Sequence, residues 1–597
     1  MSSKRSITER PPSSTVSDAV SASRSARSDG AQRTIRETIE SIIVAFVLAF
    51  LFRTFEAEAF VIPTGSMAPT LQGRHKDLVC PECGLAYRVG ASSEVDEEMQ
   101  RDVPRWEEQL KDPRTSKEDR ERLIAMIHGN EVVKGTCPNC RFPMSTDPES
   151  SEGRKWPAYN GDRILVAKFP YDFAEPKRWD VVVFRYPGNG QMNFIKRLVG
   201  LPRETVKIEQ GDIYVKPADH DQFAITRKPA PKVWAMAQAV YNNDYVVDAM
   251  TAAGWPLRWQ PMGSADAGGW TSTDGGRSYE TADGDGENWI RYQHFTPNDN
   301  DWHEMESRGH VSRPPPPRLI TDFYAYNTGL QRRILHESTP SGLHWVGDLM
   351  LEATLDVRKD QGSAVLDLVK GGRHFHCNLD LQTGQATLAI DGLDDFAPTA
   401  QTAIRGVGRY RVAWANVDRQ LLLWVDGRLI EFSTPTTYED LDNALPTVDD
   451  LAPAGIAARG ADVKAEHLLL KRDVYYIAAN ASENGDYDFP GANWGAEKIA
   501  EFFSMPKRWD STSLLSWRRS AEFLLEADQF FMLGDNSPQS KDSRVWANSD
   551  NPEYFVRREL LIGQALFIYW PASLNKIPYV NIPFPLFPNF KEMGFVR

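Results

Sequence analysis

"NFIKRLVGLPRETVKI", residues 193 to 208, decides how the rest of the chain is read. It mixes a buried-looking strand, Phe194-Ile195 and Leu198-Val199 flanking a Lys196-Arg197 pair, with a turn at Leu201-Pro202-Arg203-Glu204. Just upstream, "WDVVVFRYP" (179 to 187) and "GDRILVAKF" (161 to 169) are β-branched and apolar. Far downstream, "FFMLGDNSPQSKDSRVWA" (530 to 547) runs a strand into a Gly-Asp-Asn turn and a polar loop, and "LIGQALFIYWP" (561 to 571) supplies a last strand. The fold class expected is mainly β, with an all-β core that is discontinuous in sequence.

A chain of 597 residues exceeds one hydrophobic core, so several domains are expected. The net charge of −14 excludes a polyanion partner, since nucleic-acid binding needs a concentrated basic surface. Residues 1–35, rich in Ser, Arg, Ala and Pro, are too poor in large apolar side chains to offset ordering entropy and read as a disordered tail. The uncharged run Ser41 to Phe52 would span about 18 Å as helix against roughly 30 Å of hydrocarbon. Extension toward Arg36 and Phe55, with the arginines snorkelling, reaches the required length, so 36–58 is expected to be a transmembrane helix. A buried core helix and a cleavable signal peptide, with Ala57-Glu58-Ala59 as its cleavage site, are the rival readings. Arg24, Arg27, Arg33 and Arg36 precede the run and only Arg53 follows closely, which predicts a single-pass protein of the cytoplasmic (inner) membrane, N-terminus in the cytoplasm and the remainder outside.

Shortly beyond that run lies "FVIPTGSMAPTL" (60 to 71), which sets Ser66 between Gly65 and Met67 with prolines on both sides. A serine hydroxyl is a poor nucleophile until a base takes its proton, and a lysine serves only when neutral. At the ordinary pKa near 10.4, about one lysine in a few thousand is neutral at pH 7. Burial in an apolar strand such as that of Lys196 would lower the value by disfavouring the ammonium form. The plain alternatives are a Gly/Pro turn at Ser66 and a solvated edge at Lys196-Arg197.

The stretches within 60–79, 159–217 and 528–571, in this order behind an anchor, resemble type I signal peptidases of the serine/lysine dyad class. The resemblance implies a serine endopeptidase in which Ser66 is the nucleophile and Lys196 the general base that later protonates the leaving amine. It implies an oxyanion hole from the Ser66 N–H and the Thr64 hydroxyl, Thr standing where the family commonly has serine. Ser540 corresponds to the serine that orients the lysine amine; Asp542 and Arg544 support that loop, Asp535 and Asn536 belong to its turn, and Arg197 neighbours the base. No cofactor is implied for catalysis. Substrates would be preprotein signal peptides cut after small residues of the Ala-x-Ala type, with membrane lipid and the export machinery as partners. One departure stands out: where the family usually reads Leu-Pro-Gly-Asp, this chain has Leu201-Pro202-Arg203-Glu204, which puts the turn geometry in doubt.

The expected organisation is a peptidase core from 59–79, 159–217 and 521–597, interrupted by a zinc-ribbon-like insertion at 80–158, an irregular insertion at 218–317, a β-sandwich at 318–480 and a connector at 481–520. "CPECG" (Cys80, Cys83) and "CPNC" (Cys137, Cys140) have the spacing of tetrahedral zinc–thiolate knuckles, with two disulfides as the rival outside the cytoplasm. The charged stretch from Asp96 to Met126 is read as a helical hairpin between them. Strands such as "LMLEATLDV", "HFHCNLDLQTGQATLAID" and "RQLLLWVDGR" recur at regular spacing and resemble a concanavalin-like, laminin-G type jelly roll, with a glycan or protein ligand and a structural spacer as its two readings. Cys377 reads as a small buried residue, and His374 with His376 as a satisfied pair on one strand face. A second function class is a catalytically silent membrane-tethered protein that recruits partners through the sandwich and the knuckles. A self-cleaving repressor with the same dyad is set aside, because no helix-turn-helix segment precedes Ser66.

Overall fold

The apolar runs around Lys196 form a strongly paired sheet because both of its faces are covered. Its strands lie in the order Ala57–Val61, Arg163–Ala167, Leu561–Trp570, Val181–Tyr186, Asn189–Gly200, Gln529–Leu533 and Val556–Arg557, and every pair is antiparallel. Val181 and Val183 point to one face, where they join Ile62, Met67, Leu71, Ile164 and Val166. Val182 and Phe184 point to the other, against Leu198, Phe530, Met532 and Trp546. Burial on both faces is why "VVVF" carries no polar alternation. The computed structural model describes residues 38–39, 41–45, 57–95, 102–262, 269–281, 286–311, 316–334, 342–439, 441, 445–480, 486, 502–509, 518–547, 553–572, 574–576 and 583–597.

A second core sheet places Ala224–Ile225, Asp212–Pro217, Glu204–Glu209 and Ser520–Leu524 side by side. It is entered through the departing turn. Arg203 takes φ +63°, the left-handed region that a glycine would occupy without steric cost. Glu204 stabilises the turn by accepting from the Leu201 N–H at 2.6 Å and from Arg178 at 2.6 and 2.8 Å. The turn is therefore kept, at the expense of a strained arginine backbone.

The long insertion carries two seven-stranded antiparallel sheets that share one hydrophobic cluster. One is ordered Gln238–Asn242, Val463–Arg472, Leu349–Val357, Gly408–Val417, Gln420–Val425 and Arg428–Leu429, with Tyr279–Thr281 beside Val463–Arg472. The other is ordered Trp259–Met262, Glu287–Tyr292, Ala454–Arg459, Ser363–Lys370, Arg373–Asp380, Gln385–Ile390 and Thr399–Gln401. Residues 218–317, expected to be irregular, thus supply strands to both sheets. These strands are three to six residues long and bury single aromatics, Trp259, Tyr279 and Tyr292, so no run of alternation marks them in the sequence. The other end of the expected boundary also shifts, because Tyr476 packs with the second core sheet, bridging to Gly211.

In the first insertion each Cys pair closes a hairpin, His75–Val79 with Ala86–Gly90 and Val132–Thr136 with Pro143–Ser145. The helices Val103–Lys111 and Lys117–His128 pack together, the hairpin expected there. Ser116 caps the second by accepting from the Asp119 N–H at 3.0 Å. The expected tail lies outside the described residues, as do most of the expected transmembrane segment and of the 481–520 connector. Among the described residues no helix is long and apolar enough to cross a membrane. Residues 41–45 are helical, with Ile42, Ile43 and Val44 exposed.

Replacing Arg203 by Gly removes the left-handed penalty but adds chain entropy in the unfolded state, and the expected net effect is a gain of up to about 1 kcal/mol. Denaturant titration checks it; a loss of stability would mean that the arginine side chain holds the turn.

Candidate active site

The Ser66 loop leaves the Ala57–Val61 strand and is drawn into the core by three side chains. Met67, Ala68 and Leu71 are fully buried, and the Gly65–Met67 turn closes through the Ala68 N–H to the Gly65 carbonyl at 3.1 Å. Between those anchors sits Ser66, itself only 5% exposed. Lys196 extends from the Asn189–Gly200 strand opposite Val182. Its Nζ lies 2.7 Å from Ser66 Oγ and 3.0 Å from the Ile195 carbonyl oxygen, and the residue is 4% exposed. Burial pushes the amine down to about 8, helped by the Arg544 guanidinium and opposed by the Asp542 and Asp535 carboxylates.

Those carboxylates are themselves neutralised. Asp535 receives Arg197 in a bidentate pair at 2.7 and 2.6 Å, with both side chains fully buried, and also accepts the Thr70 hydroxyl at 2.5 Å. Arg197 further donates to the Trp179 carbonyl at 2.7 Å. It is therefore not a solvated edge residue. Asp542 receives Arg544 at 2.8 Å through both Nε and Nη2 and accepts the Gly534 N–H at 3.0 Å. Arg544 then reaches Ser537 and the Ile477 carbonyl, tying the loop to the end of the long insertion. A surface turn with a weak ion pair is excluded by this burial.

Asn536 holds the Ser66 loop directly. Its backbone N–H donates to the Ser66 carbonyl at 3.1 Å and its Nδ2 to the Gly65 carbonyl at 3.0 Å. The Thr64 hydroxyl is exposed beside Ser66 and makes no cap hydrogen bond. Ser540 departs from expectation: its hydroxyl is buried with no hydrogen-bond partner among the described residues, and the amine bonds the Ile195 carbonyl instead. The Ser540 hydroxyl crowds Gly534, where a Cβ would lie 2.2 Å from it and 2.4 Å from the Ser66 carbonyl oxygen.

A groove of about 800 Å³ opens over this pair. One side is Pro63 to Ser66 and the other Asn193 to Lys196. The Asn189–Gly200 strand pairs with Val181–Tyr186 along its length, but with Phe531–Leu533 only from Arg197 onward, so Asn193 to Lys196 present an unpaired edge to the groove among the described residues. The far wall, Tyr324 to Gln331, comes from the long insertion and was not anticipated. Nothing in "YAYNTGLQ" distinguishes it from an ordinary turn, and only the fold brings it here.

Outside the groove, the four knuckle cysteines converge. Cys80 and Cys140 Sγ are 3.5 Å apart, Cys83 and Cys137 Sγ 3.6 Å, and all four lie within 4.8 Å of one another. A disulfide needs about 2.05 Å, whereas tetrahedral Zn–S bonds of about 2.3 Å imply sulfur separations near 3.8 Å. In each knuckle the first Cys accepts the N–H of the residue four places on, Gly84 or Arg141, and both of these take positive φ. Cys377 is buried in the two-sheet core. His374 and His376 flank Asp367 at 2.8 and 3.2 Å, and Arg291 sits on the same carboxylate at 2.7 Å. His374 is hydrogen-bonded to that carboxylate, whereas His376 only lies near its other oxygen, and Asp367 supplies a third donor atom within 4.8 Å of both imidazoles.

Residues 149–251 and 474–570 match the family model described as signal peptidase, peptidase S26. These segments hold Lys196 and the Asp535–Arg544 loop; Ser66 lies outside them and enters through its contact with Lys196. Over these segments, about a third of its length, the chain is similar to the signal peptidases of that family. It is similar to signal peptidase I of Pseudomonas aeruginosa, 46% identical over 59 residues, 8% of this chain and 21% of that one. It is also similar to probable signal peptidase I-2 of Synechocystis sp., 35% identical over 74 residues, 12% of this chain and 34% of the relative. The chain therefore spans about a fifth to a third of these relatives' length. Among solved structures, a carbohydrate binding module CBM66 from Bacillus subtilis aligns at 11% identity over 36% of this chain and 94% of that one, with a TM-score of 0.20, a likeness too slight to carry an argument.

Gly534→Ala is expected to lower stability by about 1–3 kcal/mol, because the methyl group overlaps the Ser66 backbone as well as a side chain. Denaturant titration measures this, and an unchanged midpoint would mean that the loop yields more easily than its buried pairs suggest.

Proposed function

We propose that the protein is a membrane-bound serine endopeptidase that removes N-terminal signal peptides from exported proteins. Ser66 attacks the scissile carbonyl, its proton passes to neutral Lys196, and the resulting ammonium later protonates the leaving amine before water, activated by the same lysine, releases the acyl group. The single observation that carries this reading is the 2.7 Å contact between a buried amine, its charged form disfavoured by desolvation, and the Ser66 hydroxyl. With the amine at about 8, roughly a tenth is neutral at pH 7, against a few in ten thousand for an ordinary lysine. The Ser66 N–H and the Thr64 hydroxyl serve the oxyanion. Ser540, buried and unbonded, is placed to take up a partner when substrate or water enters.

The unpaired Asn193–Lys196 edge suits an extended peptide that adds as a strand, with small side chains of the Ala-x-Ala type at the cut. An anchor over 36–58 sets the groove at the outer face of the cytoplasmic membrane, N-terminus inside, within reach of a translocated signal peptide and the export machinery. Exposed Ile42, Ile43 and Val44 support contact with lipid. The four cysteines are proposed to hold structural zinc, supported by sulfur separations far beyond a disulfide and close to a tetrahedral edge. The two-sheet insertion, jelly-roll-like in its strand pattern, is proposed to bind a glycan or protein partner. The silent alternative is disfavoured by a groove that keeps nucleophile, base and loop supports in contact.

In detergent, the purified protein is expected to cleave a peptide with Ala-x-Ala before the cut bond, and Ser66→Ala and Lys196→Met each to lower kcat/KM by at least about 1000-fold. Retained cleavage in both variants contradicts the dyad. Because the base must be neutral, kcat/KM should rise about tenfold per pH unit below about 8 and level off above it; a flat profile from pH 6 to 9 contradicts a lysine base. Elemental analysis of protein purified without oxidant should find one zinc per chain, and chelation should lower the melting temperature. Absent zinc with blocked thiols would favour disulfides.

A further inference from the structure

The segment from Asp322 to Ile334 touches both halves of the molecule. On one side it is sewn to the knuckle insertion: Leu330 and Gln331 pair with Lys134 and Val132, and the Thr136 N–H, one residue before Cys137, donates to Thr328 Oγ1 at 2.9 Å. On the other side it presses on the nucleophile loop. The buried Tyr326 ring lies so close to Gly65 and Gly90 that a Cβ on either would fall 2.1 or 2.7 Å from its Cε1. Next to it, Asn327 and Asn536 form a reciprocal amide pair, each Nδ2 donating to the other's Oδ1 at 2.7 Å.

That pair completes the bonding of Asn536. One Nδ2 hydrogen goes to the Gly65 carbonyl and the other to Asn327, while Asn536 Oδ1 accepts from Asn327. Asn536 is 1% exposed, so without Asn327 a donor and an acceptor would be left in a buried site and the amide would be free to rotate off the Gly65 carbonyl. The carbonyl it holds belongs to the peptide linking Gly65 to Ser66, the same peptide that carries the Ser66 N–H.

We propose that Asn327, a residue of the long insertion, is a positioning residue for the reaction. Acting through Asn536, it fixes the Gly65–Ser66 peptide so that the nucleophile and the oxyanion donor keep their alignment. The insertion is then part of the working active site rather than a module appended to it. This inference rests on the peptidase reading of the same site.

Steady-state kinetics on the full-length protein in detergent, with the Ala-x-Ala peptide and Ser66→Ala as the blank, tests it. Asn327→Ala and the apolar near-isostere Asn327→Leu are expected to lower kcat roughly 10- to 100-fold with KM within about twofold. Asn327→Gln, which keeps an amide at a half-buried wall of the groove, should recover most of the loss, and all three should melt near wild type. If wild type cleaves and Asn327→Ala or Asn327→Leu matches it, the inference alone falls. It also falls if KM rises at unchanged kcat, if Gln gives no recovery, or if every variant loses activity only in proportion to lost folding. If wild type is no more active than Ser66→Ala, the peptidase reading falls and takes the inference with it.

Discussion

The removal of one amine from water governs everything else at this site. Lys196 can act on Ser66 only if its charged form is disfavoured, and the surrounding sheet does this by covering both faces of the strand that bears it. Two aspartates lie close enough to reverse the effect. Each is matched by its own arginine, Arg197 for Asp535 and Arg544 for Asp542, so that their pull on the amine is weakened while their carboxylates hold the loop in place. Buried pairs of this kind contribute little net stability against an apolar substitute, but losing one member leaves an uncompensated charge. Their value lies in fixing geometry around the amine.

The site is built from segments hundreds of residues apart. Ser66 and Lys196 are separated by the knuckle insertion, and Lys196 and Asn536 by the long one, yet the sheet between them is continuous because both insertions leave and return between its strands. The long insertion does not hang free. Lys228 buries its ammonium between Asp418 at 2.7 Å and Asp473 at 2.8 Å, joining the chain just past the second core sheet to the two-sheet body. Arg544 reaches Ile477 at the insertion's exit, and Asn327 reaches Asn536 near its middle. These contacts make independent motion of the insertion unfavourable and bring its residues into the groove.

How much of this the sequence carried depended on how locally each feature is encoded. The core strands were legible because β-branched runs bury on both faces, whereas the stretches around Ser66 and Lys196 are each weak alone and drew attention only through their order along the chain and the resemblance that order carries. The cysteine knuckles were legible from spacing, and the helical hairpin from its charge pattern. Residues 238–292 were not: their strands are short and bury isolated aromatics, and pairing with Val463–Arg472 and Ala454–Arg459 is decided some two hundred residues away. Asn327 was invisible for the same reason, since an Asn-Thr-Gly turn acquires meaning only when the fold sets it against Asn536. At Ser540 the expected bond to the amine is not made among the described residues, and the amine donates to the Ile195 carbonyl on its own strand.

The most direct measurement is the titration of Lys196 itself, followed by NMR of protein labelled at the lysine side-chain carbons, with Lys196→Met used to assign its signal. A shielded amine beside Ser66 gives a midpoint near 8. A midpoint at the ordinary lysine value of about 10.4 would mean that burial does not disfavour the charged form, and would contradict its role as the base.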